Sequence, residues 1–71
     1  MRSTDKIIRL AETGVNLTVD ASGRSAESLF RIAQASRQAG GYLTVINTEK
    51  IDTEDLVKLA RFGLGAITIA V

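Results

Sequence analysis

The sequence predicts an α/β fold: three helix–strand repeats forming a short two-layer solenoid, with a three-stranded parallel sheet in the order 1-2-3 and the helices on one face. Two observations lead there. Residues 3–11, 25–33 and 52–60 align without gaps, each as a capping residue, an acid two positions later, then aliphatic, apolar, basic, aliphatic and Ala. Each stretch is followed by an alternating triplet: Leu17-Thr18-Val19, Leu43-Thr44-Val45 or Ile67-Thr68-Ile69. The helix starts lie 22 and 27 residues apart and the strands 26 and 24 apart, and a period in this range marks a repeat architecture. The units run from about 3 to 20, 25 to 47 and 52 to 71, within a single domain spanning residues 1–71.

In each unit the helix comes first. Ser3, Ser25 and Asp52 are residues whose side chains accept hydrogen bonds from the free N–H groups of a helix start. Asp5, Glu27 and Glu54 then fall in the first turn, where the helix dipole favours negative charge. Ile7, Leu10 and Ala11 share a face at helical spacing, as do Leu29, Ile32 and Ala33, and Leu56, Leu59 and Ala60. Gly14, the pair Gly40-Gly41, and Gly63 mark the helix ends, where a left-handed residue is often needed. The middle helix is expected to run about one turn longer, through Ala39.

Along each strand, Leu or Val or Ile alternates with Thr, so one side is apolar and the other carries Thr18, Thr44 and Thr68. Helices alternating with strands imply parallel pairing. Right-handed crossovers between equivalent units place the helices on one face.

Composition narrows the function. A chain of 71 residues buries only about 60% of its unfolded surface, so a partner would add to its stability. There is no Cys and no His, which removes disulfides, the usual zinc ligand sets and the commonest acid–base and nucleophilic sites. Ser, Asp and Lys remain, but no spacing pairs them for catalysis. No cofactor motif is present, and we expect no enzyme. A net charge of +1 is too balanced for a nucleic-acid or membrane-surface binder. No apolar run approaches the roughly 18 residues of a membrane helix, and the N-terminal residues carry no apolar signal-peptide core. A cytoplasmic setting is the expectation.

Three features are candidate sites. The loop holding Ser22, Gly23, Arg24 and Ser25 leaves a strand and enters a helix, a place where α/β folds bind anions. The ordinary alternative is a turn, with Gly23 giving flexibility and Ser25 capping. The matching loop of the next unit, residues 47–52, carries Glu49 and Asp52 and would repel an anion. Arg9, Arg31 and Lys58 occupy equivalent helix positions. They form either a basic row for an acidic partner or a solvated face balanced by local acids. The third feature is the side of the sheet without helices. It would show Thr18 on the first strand, Tyr42, Thr44 and Ile46 on the second, and Ala66, Thr68 and Ala70 on the third. Parallel sheets are normally covered on both faces, so this surface is expected to be an interface. The expected partner is a second copy, most simply a homodimer.

The run from Leu17 to Asn47, repeated in part through Val71, resembles units of uncharacterised bacterial α/β repeat proteins. That resemblance implies architecture and no activity. A weaker one is to the anti-sigma-factor-antagonist (STAS) domain. Val19-Asp20-Ala21-Ser22-Gly23 is similar to its phosphorylatable loop, and residues 40–47 to its next strand. This second resemblance implies a phospho-regulated switch with Ser22 as the modified residue.

Overall fold

The structure, a computed structural model, describes residues 2–71. Helices and strands alternate as α1 (Thr4–Ala11), β1 (Leu17–Asp20), α2 (Ala26–Gln38), β2 (Leu43–Ile46), α3 (Thr53–Gly63) and β3 (Ile67–Ile69). The sheet is parallel in the order β1-β2-β3. Its register sets Leu17 beside Leu43 beside Ile67, and Thr18 beside Thr44 beside Thr68. The α/β class, the parallel pairing and the strand order are therefore as the sequence predicts. The molecule measures 28 × 26 × 17 Å, and its short dimension is about the depth of one helix layer on one sheet.

The apolar side of the sheet makes the core. Val19, Leu43 and Val45 are buried against Ile7, Leu29, Ile32 and Leu59. The middle unit contributes most, because α2 packs on both other helices and β2 pairs on both edges. Phe30 and Phe62 meet edge to face at 6.2 Å between α2 and α3.

Two local differences explain why the units are unevenly spaced. Helix α2 has 13 residues against 8 in α1, the extra turn expected from the sequence. The loop after β2 also holds one more residue than the loop after β1. Arg24 N–H bonds Ala21 O in the first loop, and Ile51 N–H bonds Thr48 O in the second, so the two turns correspond. The extra residue is Asn47, at φ 58°, a residue type that tolerates the left-handed region.

The helix starts are only partly as expected. Ser25 Oγ accepts from Ser28 N–H at 3.1 Å, and Ser3 Oγ from Lys6 N–H at 3.4 Å. Asp52 holds the capping position, but its side chain makes no capping bond. Only its carbonyl serves α3, accepting from Asp55 and Leu56.

At the end of α2, Gly40 adopts φ +80°. Gly40 N–H bonds Arg37 O and Gly41 N–H bonds Ser36 O, the paired closure that satisfies terminal carbonyls. The third unit corrects two expectations. The left-handed residue at the end of α3 is Leu64 (φ 49°), not Gly63. Gly63 is still helical and stays small because a Cβ there would lie 2.5 Å from the Ile67 side chain. The expected apolar face of α3 is also incomplete, with Leu59 buried, Leu56 half-buried and Ala60 exposed. Ala11 and Ala33, its equivalents, are 0% and 1% exposed. Each of those two lies in a unit followed by another, whereas among the described residues no unit follows α3 and β3.

Candidate functional site

The loop between β1 and α2 is organised from its own residues. Asp20 Oδ1 accepts the Ser22 N–H at 2.8 Å, closing a turn of the kind Asp side chains favour. That backbone bond, with the side chains of Ser22 and Asn47 acting in the same direction, holds the Asp20 carboxyl below its ordinary value of 3.8. Gly23 follows at φ 73°, and Ser25 caps α2 as described. Ser22 itself is exposed.

Arg24 is committed to the fold. Its Nη2 donates to Arg2 O at 2.6 Å, its Nη1 to Thr4 Oγ1 at 3.3 Å and its Nε to Asp20 O at 3.2 Å. The guanidinium thus clasps the start of α1 to the end of β1. Three of its five N–H donors are used in this way, and the Ser28 N–H is given to Ser25, so part of the donor set of this loop already serves the fold.

Of the basic row, Arg31 is drawn into a contact between units. Arg31 pairs with Asp5 across α1 and α2 at 3.2 Å. Arg37 donates to Phe62 O at 2.9 Å and stacks over the Phe62 ring at 5.3 Å, satisfying a carbonyl at the end of α3. Arg9 sits at the position of α1 equivalent to Arg31, and no helix precedes α1 among the described residues.

The sheet face away from the core carries the residues the alternation assigns to it. Thr18, Tyr42, Thr68 and Ala70 are exposed, while Thr44, Ile46 and Ala66 are half-buried. The half-buried ones on β2 are flanked by strands on both sides. Tyr42 is 60% exposed, and its backbone N–H donates to Asn16 Oδ1 at 3.2 Å. At the far end, Thr48 is buried, and its hydroxyl donates to Ala70 O at 3.2 Å. With Ala70 N–H bonded to Val45 O, this pins the chain just beyond β3. No local pattern in the sequence marks Thr48, a polar residue in a turn, as a buried tie.

Among the described residues the sheet has two unpaired edges, β1 and β3. Beside β1, beneath α1, lies an open groove of about 340 Å³ bounded on its apolar side by Ile7, Leu10, Leu17 and Val19. Beside β3, the outer side of α3 exposes Glu54, Val57 and Ala60. Such an arrangement of unpaired backbone and apolar side chains suits protein contact. Among the described residues, no helix is long and apolar enough to cross a membrane, and no cluster of acidic residues could hold a metal ion.

No protein-family model, curated protein or solved structure matches this chain.

Proposed function

We propose that the protein is a non-catalytic interaction module that associates with copies of itself. The observation that supports this reading is the unfinished sheet. Its three strands are parallel, one face is covered by helices, and among the described residues neither β1 nor β3 has a neighbour on its outer side. Parallel sheets of this kind are normally covered and continued, and an uncovered edge is a template for another chain. The small core adds a reason for association, because a partner bound only by the folded chain stabilises it by mass action. The cytoplasmic setting expected from the sequence belongs to the same proposal, and cell fractionation checks it.

Light scattering of the chain over a concentration series tests the association. The reading expects a mass above that of the monomer by about 0.1 mM, well above the micromolar range where specific interfaces hold. A monomer throughout overturns it.

A further inference from the structure

We infer that copies of this chain join end to end, with the β3–α3 end of one copy docking on the β1–α1 end of the next as though it were the following repeat. The inference rests on the self-association reading above and names the surface that carries it.

Burial along the repeat separates the residues that face a preceding unit from those that face a following one. At the eighth position of the aligned stretch, Ile32 and Leu59 are 0% and 2% exposed, whereas Leu10 is 42% exposed. Only the first unit, which has no unit before it among the described residues, shows this residue. The ninth position behaves oppositely. Ala11 and Ala33 are buried, and Ala60, in the unit with no other unit after it among the described residues, is exposed. The sixth position agrees, since Phe30 packs on Phe62 of the following unit and Val57 is exposed. The two ends of the molecule are therefore the two halves of one interface, each missing its mate.

The charges are complementary in the same sense. The bond between Asp5 and Arg31 joins the third position of one unit to the seventh position of the next. Glu27 and Lys58 keep those signs in the second pair of units without closing to contact among the described residues. At the free ends the same positions hold Glu54 on α3 and Arg9 on α1, both exposed. End-to-end docking brings these two together.

The strands continue in register. Leu17 and Ala21 donate their N–H groups to β2, so the alternation of a strand turns the N–H of Thr18 outward. Leu43 donates to Ala66 O and Ala70 to Val45 O, which leaves Ile67 and Ile69 facing out from β3. Setting Ile67 beside Leu17 and Thr68 beside Thr18 of the next copy repeats the pairing already present twice. Leu56 and Ala60 then cover the groove beside β1. Because the two surfaces differ, each joined pair keeps one free end of each kind, so growth gives an open chain or a closed ring.

The chain has no Cys, which makes a cross-linking test clean. Thr18→Cys and Thr68→Cys are both at exposed sites. In the inferred contact they lie side by side about 4.8 Å apart, within disulfide reach. Under mild oxidation at associating concentration, a mixture of the two variants is expected to form the mixed disulfide at least about tenfold faster than either variant pairs with itself, as high local concentration requires. Ala60→Arg should abolish association while leaving the melting temperature of the dilute, monomeric chain unchanged, since Ala60 is exposed within one chain and only the stabilisation by a bound copy is lost. Association that survives Ala60→Arg, or that cross-links Thr68→Cys mainly to itself, overturns the end-to-end contact and leaves self-association standing. A wild-type chain that stays monomeric overturns both.

Discussion

Two residues hold conformations or environments that cost stability, and each gives a direct test. Ser36 is buried in α2, and its hydroxyl has no hydrogen-bond partner among the described residues. An unsatisfied buried polar group costs about 1–3 kcal/mol. Ser36→Ala is therefore expected to raise stability by about 1 kcal/mol, read as a higher denaturation midpoint at unchanged slope. A loss of stability would show that the hydroxyl is bonded after all. Leu64 is 74% exposed and left-handed at φ 49°, a conformation costly for a side chain with a Cβ and tolerated by Asn. Leu64→Asn should stabilise the fold by about 0.5–1 kcal/mol, seen as a rise in melting temperature, because it relieves backbone strain and uncovers nothing. Leu64 also shows where the sequence misleads. Glycines on both sides invite the left-handed position to be placed on one of them. The helix instead runs through Gly63, where only hydrogen leaves room for Ile67, and the strain falls on the Leu.

At the scale of the elements, the helices were legible because their signals are local: a cap, an early acid, and an apolar face recurring every three or four residues. The strands were legible for the same reason, through alternation. The long-range polar ties were not. Arg24 reaches back to Arg2, Arg37 reaches forward to Phe62, and Thr48 reaches Ala70, and no spacing in the chain announces such contacts. The capping positions mark the limit of local reading, since Ser25 and Asp52 align in the repeat and only Ser25 makes the side-chain bond. Ser25→Ala should cost about 1 kcal/mol, while Asp52→Ala should cost clearly less, losing only a favourable charge near the dipole. Urea denaturation of the two variants compares them. Equal losses would mean that Asp52 caps α3 in solution.

On the scale of the whole molecule, the repeat explains both the core and its incompleteness. Each unit buries its apolar face with the help of its neighbours, so the middle unit is well covered and the outer two are not. Sequence alignment of the units made the fold class and the uncovered sheet face readable. It did not reveal the exposure of Ala60 or Leu10. Repeats identical in pattern differ in burial only through their place in the stack, which the residues themselves do not encode. The central claim is that this incompleteness is resolved by a second copy continuing the sheet. Amide hydrogen exchange tests it most directly, by comparing dilute protein at about 1 μM with concentrated protein at about 0.1 mM. The account predicts that Thr18 and Ile69, whose N–H groups point out from the free edges, slow markedly on concentration. Val19 and Val45, already within the sheet, should show no comparable edge-specific change. Equal exchange of Thr18 and Ile69 at the two concentrations would contradict it.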